Sequence, residues 1–127
     1  MASEDQSKKL AIIVHSGDYE RLHHALSIAL AGVTNALDCH MFIAYDALRK
    51  LTKAEIDKIP PDTNFRRPLR KLIQQAKETG NLHLYACGSS MGIQGIARTE
   101  LVEEFDEVLG LSAFLSLTEG AAFTFFI

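Results

Sequence analysis

From Lys9 to His15 the chain reads KLAIIVH, an almost unbroken run of apolar, largely β-branched residues. A strand with one wet face alternates, so a continuous run predicts a strand covered on both faces. Ser16-Gly17-Asp18 supplies a turn with ready N-cap oxygens, and apolar residues then recur at Tyr19, Leu22, Ala25, Leu26, Ala29, Leu30 and Val33, the spacing of one helical face. Asp38 to Tyr45 (DCHMFIAY) predicts a second strand. Thr52-Lys53-Ala54-Glu55 has capping-box spacing and predicts a short helix stopped by Pro60-Pro61, with a loop running on to Arg67. After Pro68, the positions Leu69, Leu72, Ile73 and Ala76 predict another amphipathic helix, and Gly80 stands where a left-handed C-terminal cap is expected. A third strand follows through LHLYA to Cys87.

Beyond Cys87 the pattern weakens. Met91, Ile93 and Ile96, interrupted by Gly92 and Gly95, predict a short helical or irregular segment, and Thr99 is expected to cap a turn through Leu101 and Val102. Asp106 to Leu109 predicts a short edge strand, Ser112 to Glu119 a helix closed by Gly120, and Ala122 to Ile127 (AFTFFI) a final strand. Strands taking turns with helices imply a mostly parallel sheet, because parallel neighbours need crossover connections that cover both faces. The expected fold is a three-layer α/β/α sandwich, flavodoxin-like in architecture.

A chain of 127 residues with 47% apolar content can build one well-buried core, so a single domain over residues 1–127 is expected, with residues 1–8 as a polar tail. Thirteen basic residues stand against sixteen acidic ones, with no Lys/Arg cluster dense enough to neutralise a run of phosphates. Direct nucleic-acid binding is not expected. The opening MASEDQSKK lacks the apolar stretch of a leader, and no apolar run reaches the ~18 residues of a membrane span. A cytoplasmic protein with no membrane contact is expected. Cys39 and Cys87 are too few and too unpatterned for a disulfide framework or a metal site, so both are expected as reduced thiols, with no metal and no cofactor.

In parallel sheets, reacting groups gather where strands end and helices begin. Here that carboxyl edge collects His15-Ser16-Gly17-Asp18, Tyr45-Asp46 and Cys87-Gly88-Ser89-Ser90. If Ser89 or Ser90 starts a helix, its free N–H groups face the Cys87 sulfur and favour the nucleophilic thiolate. Gly88 leaves room for a bulky sulfur substrate to approach the backbone. The candidate site is therefore Cys87 as the reacting group, with Gly88, Ser89, Ser90, His15, Ser16, Gly17 and Tyr45 around its substrate. A buried cysteine acting as a small hydrophobe is the competing reading of Cys87, and for Cys39, at a strand start, it is the leading one. His23, His24 and His40 read as solvated, and His83 as a partly buried strand histidine.

Other chemistries fail on spacing. GSSMGIQG lacks the Lys-Ser/Thr ending of a phosphate loop, and no G-x-G-x-x-G follows the first strand. A thiol phosphatase needs an arginine closing the loop after its cysteine, and none occurs before Arg98. Glu103, Glu104, Asp106 and Glu107 read as a solvated charge run rather than a metal centre or glycosidase pair.

The block IIVHSGDYERLHHALSIALAGVTNALDCHMFIAYDAL, the more specific ACGSSMGIQGIARTELVEEF and the closing FTFFI resemble the DsrE/DsrF-like sulfur-relay family, in its small soluble branch, over nearly the whole chain. The resemblance implies a five-stranded parallel sheet in the order 4-3-2-1-5 and assembly into trimers or hexamers. It also implies that Cys87 carries sulfur as a persulfide, taking it from a donor protein and passing it to an acceptor. Relay members acting in tRNA thiolation have bulkier, basic residues where this chain has Gly88-Ser89-Ser90, which leaves the partner open. No second thiol is placed to resolve a disulfide at Cys87, against peroxiredoxin-type turnover. The expectation is thus a sulfur carrier or sulfurtransferase; the alternative is a non-catalytic binding or assembly module using the same edge for a small anion or nucleotide.

Overall fold

The computed structural model describes residues 8–60 and 67–127. The tail expected over residues 1–8, apart from Lys8, lies outside them, as does most of the loop expected between Pro60 and Arg67. Five strands form one sheet: β1 (Lys9–Val14), β2 (Asp38–Ile43), β3 (Leu82–Cys87), β4 (Glu107–Leu109) and β5 (Phe123–Phe126). Their order is β4-β3-β2-β1-β5, and every neighbouring pair is parallel. The expected topology is the observed one.

Strand alternation sorts the core into two faces. Leu10, Ile12 and Val14 of β1 share one face with Cys39, Met41 and Ile43 of β2 and Leu82, Leu84 and Ala86 of β3. Helices α1 (Tyr19–Thr34), α2 (Tyr45–Lys50) and α3 (Leu69–Thr79) close this face with Leu22, Leu26, Leu48, Leu72 and Ile73. The opposite face carries Ala11, Phe42, Tyr85 and Cys87, and its cover is α5 (Leu111–Leu117), which inserts the fully buried Phe114. The remaining helix, α4 (Gly88–Gln94), packs beside α2 at the carboxyl edge. Among the described residues, no helix is long and apolar enough to cross a membrane.

Several local expectations are corrected. The second strand stops at Ile43, two residues early, because Tyr45 adopts a left-handed φ of 51° and turns the chain into α2. No helix follows at Thr52-Glu55: the Thr52 hydroxyl donates backwards to the Arg49 carbonyl (2.8 Å), and Thr52 forms an antiparallel bridge with Leu101 instead of capping. Gly80 is extended (φ −170°), not left-handed; a Cβ there would sit 3.0 Å from Val33 Cβ, so close packing on α1 is what this position requires. Thr99 lies inside a 3₁₀ turn, Arg98–Glu100, whose start is held by the Ala97 N–H donating to Glu100 Oε1 (2.7 Å).

Candidate functional site

β3 ends in Cys87 and α4 begins at Gly88, one residue earlier than expected, so Cys87 itself is the N-cap residue. Alternation along β3 aims His83, Tyr85 and Cys87 at the α5 face, and Cys87 packs with Ala11, Phe42, Ala44, Tyr85 and Phe114. The residue is 7% exposed. Its thiol makes no cap hydrogen bond to the first amides of α4.

Gly88 is half-buried, and a Cβ there would meet Val108 Cγ1 at 3.4 Å, an ordinary contact distance. Ser89 is exposed. Ser90 is almost fully buried, and its Oγ accepts from the Tyr45 N–H at 2.9 Å, tying α4 to the start of α2. This hydroxyl is engaged in the scaffold. Tyr45 is 53% exposed and combines left-handed backbone with a large side chain, a strained pairing that points the ring off the sheet edge.

At the end of β1, His15 is exposed, with its ring 5.0 Å from that of Phe126. Ser16 Oγ accepts from the Asp18 N–H (3.2 Å), and Asp18 in turn caps α1 by accepting from the Arg21 N–H (3.0 Å). A Cβ on Gly17 would lie 2.9 Å from Asp46 Cβ, so only glycine lets the turn after β1 press against the turn after β2. His15, Ser16 and Gly17 line an open cavity of about 620 Å³ with Asp18, Arg21, Asp46, Arg49 and Lys50. Tyr45 and the Cys87–Ser90 segment do not line it. The edge thus holds two neighbouring features rather than one pocket, because β2 stands between β1 and β3; the bond between Ser90 and Tyr45 joins them.

The other thiol has different surroundings. Cys39 is fully buried on the α1/α3 face, and burial, with the charge of Asp38 adding to it, pushes its thiol up to about 12. Such a group packs; it does not react.

A polar network that the sequence pattern did not single out lies on the α5 face at the amino end of the sheet. Asp38 Oδ2 lies 3.0 Å from His40 Nε2, and Asp38 Oδ1 lies 3.0 Å from His83 Nε2. His40 Nδ1 lies 2.9 Å from the Tyr85 hydroxyl, and the two imidazoles stack at 4.5 Å. His40 is therefore buried, not solvated as expected, since its ring stacks on those of His83 and Tyr85 with both nitrogens engaged; His83 is partly buried as expected, His24 exposed and His23 half-buried. Burial raises the Asp38 carboxyl, but the bonds and charges of His40 and His83 outweigh it and hold the group low. Burial, joined by the charges of His83 and Lys9, outweighs the hydrogen bond and charge of Asp38 and holds the His40 imidazole below its usual range. Burial, then Glu107, Asp106 and Asp38, pushes the Tyr85 phenol up to about 12, so its O–H stays available to donate to His40 Nδ1. Asp38-x-His40 at strand period was the visible signal; that His83 lies beside His40 depends on the β2–β3 register.

The chain matches the DsrE/DsrF-like family over residues 8–123. It belongs to that family, which is associated with sulfur relay. Among solved structures it is similar to the ychN protein of E. coli, at 18% identity and a TM-score of 0.72, covering 94% of this chain and 99% of that one. It is also similar to MTH1491 of Methanobacterium thermoautotrophicum, a protein described as of unknown function, at 14% identity and a TM-score of 0.70, covering 94% of this chain and 99% of that one. Both likenesses support the same five-stranded fold. Comparison with curated proteins gives no match.

Proposed function

We propose that the protein is a sulfur carrier of the relay type, holding sulfane sulfur as a persulfide on Cys87 and passing it to an acceptor protein. The observation that carries this reading is the place of Cys87: in a chain of a sulfur-relay family, it is the cysteine at the carboxyl end of a central strand, beneath a single short helix. In the loading step the Cys87 thiolate attacks the outer sulfur of a donor persulfide; the new bond joins Cys87 Sγ to that sulfur, the donor S–S bond breaks, and the donor leaves as a thiolate that takes up a proton. Transfer onward repeats the exchange with an acceptor thiolate. Gly88 and Ser89 border the thiol along the chain, and Tyr45 flanks the edge on the β2 side. A reducing, cytoplasmic compartment belongs to this reading, since both cysteines are free.

Assembly into a homo-oligomer is part of the same proposal. Phe123, Phe125 and Phe126 of the edge strand β5 and Leu111 and Leu115 of α5 are exposed, more adjacent apolar surface than a small monomer usually leaves wet. Light scattering should return a multiple of the 14.0 kDa chain mass; a monomer at micromolar concentration would remove this part.

The functional test is intact-protein mass after exposure to polysulfide. Wild-type protein and Cys39→Ser should gain whole sulfur atoms that reductant removes, and Cys87→Ser should gain none. Equal loading of Cys87→Ser would take Cys87 out of the mechanism. The second reading, an anion-binding module, draws on the β1/β2 cavity, where Arg21, Arg49 and Lys50 outnumber Asp18 and Asp46; it predicts an inert Cys87 and saturable phosphate binding abolished by Lys50→Ala.

A further inference from the structure

We infer that Asp38, His40 and His83 form a binding site for a zinc-class divalent cation, separate from the thiol. One nitrogen from each imidazole and one carboxylate oxygen all lie within 4.8 Å of one another. Four ligands at about 2.0–2.2 Å from a tetrahedral cation stand roughly 3.3–3.6 Å apart. The Asp38-to-histidine separations of 3.0 Å, one to each carboxylate oxygen, are a little shorter than that spacing, so the three side chains part slightly to admit an ion.

The backbone fixes this set. Asp38 and His40 are two apart on β2 and so share a face, and the parallel register sets His40 directly beside His83 on β3. Three ligands therefore come from two rigid, adjacent strands rather than from loops. The donor set selects the metal class: two imidazoles and one carboxylate suit zinc and its first-row neighbours, whereas magnesium and calcium need mostly oxygen ligands. The protein supplies three ligands, and a fourth position is open to solvent, because the His83 side chain is 42% exposed while that of His40 is 7% exposed.

An outer partner is also in place. Metal on His40 Nε2 requires the ring proton on Nδ1, and the Tyr85 hydroxyl lies 2.9 Å from that nitrogen, able to accept as readily as it now donates. With the ion bound, the ring proton of His40 sits on Nδ1 and that of His83 on its solvent side; the Asp38 carboxylate gives up two hydrogen bonds and gains the cation. His83 and Cys87 lie four residues apart on one face of β3, about 13 Å at strand rise. That separation prevents the thiol from ligating the same ion.

The test is titration of the purified full chain with Zn²⁺ followed by heat, and with Co²⁺ followed by its visible spectrum. One equivalent per chain should bind, and the Co²⁺ bands should be those of nitrogen and oxygen ligation without a thiolate charge-transfer band. His83→Ala, at a partly exposed position that tolerates truncation, should weaken binding beyond the roughly 10–100-fold that loss of an outer partner costs. Asp38→Asn should do the same, and Cys87→Ser and Cys39→Ser should bind like wild type. Absence of stoichiometric binding overturns the inference, as does wild-type affinity in a folded His83→Ala, or loss of binding in Cys87→Ser.

Discussion

The two faces of the sheet are built from the same three central strands and differ in almost everything else. Toward α1, α2 and α3 every inward position of β1, β2 and β3 is apolar and buried, and three helices complete the seal. Toward α5 the same strands present Asp38, His40, His83, Tyr85 and Cys87, and one seven-residue helix packs on the Tyr85 and Cys87 part of that face. Each face holds one cysteine. A face with redundant cover gives a thiol no route to solvent, whereas a face closed by a single short element opens whenever that element moves. The contrast assigns packing to Cys39 and fits the proposed role of Cys87.

Native-state thiol labelling probes this contrast with the largest expected effect. Cys87 should be labelled through local opening of α5, and Cys39 only through global unfolding, whose cost is on the order of 5–15 kcal/mol for a domain of this size. Each 1.4 kcal/mol separating the two openings is about a tenfold difference in rate. Peptide mass mapping after iodoacetamide exposure reads both sites in one sample. Comparable rates at the two cysteines would mean that the faces open together and that the distinction drawn from burial is void.

Truncation inside each face comes next in size. Phe114→Ala should cost about 3–5 kcal/mol and Leu72→Ala about 2–5 kcal/mol in denaturant unfolding, as both residues are fully or almost fully buried. Stability alone would not separate the faces. Labelling does: Phe114→Ala removes the α5 side chain buried in the same cluster as Cys87, its ring centred 5.1 Å from that of Phe42 and 6.0 Å from that of Tyr85, and should accelerate Cys87 labelling far more than Leu72→Ala at matched stability. Equal acceleration by both would show that only global stability, and not the α5 cover, governs access.

The same division explains what was legible beforehand. KLAIIVH and LHLYA announced buried strands because parallel strands are apolar on both sides, and the resemblance of the edge motifs supplied the strand order that periodicity does not contain. Departures from that pattern were also the places where prediction failed. His40 looked solvated because a single strand cannot reveal its neighbour, and its partners Tyr85 and His83 arrive through the β2–β3 register. Ser90 looked like a ligand group, yet its hydroxyl is taken by the Tyr45 amide across 45 residues of chain. Cys87 was placed correctly at a strand end, but the direction of its sulfur followed from the pleat, which one misplaced helix start is enough to obscure.

The smallest predicted effect concerns backbone strain. Among the described residues, two without glycine's freedom have positive φ: Ala36 (63°) in the turn before β2 and Tyr45 (51°) at the carboxyl edge. Left-handed backbone costs an ordinary residue roughly 1–2 kcal/mol, while glycine's greater freedom in the unfolded chain returns about 0.5–1 kcal/mol of that. Ala36→Gly and Tyr45→Gly should therefore each change unfolding free energy by no more than about 1.5 kcal/mol, in the stabilising direction. Function separates them. Ala36 lies at the amino end of β2, whereas Tyr45 projects from the edge where Cys87 ends β3, so Tyr45→Gly should slow persulfide loading while Ala36→Gly leaves it unchanged. A Tyr45→Gly protein destabilised by well over 1 kcal/mol would mean that the ring packs rather than strains. One that loads at the wild-type rate would mean that the strain at this edge serves only the turn into α2.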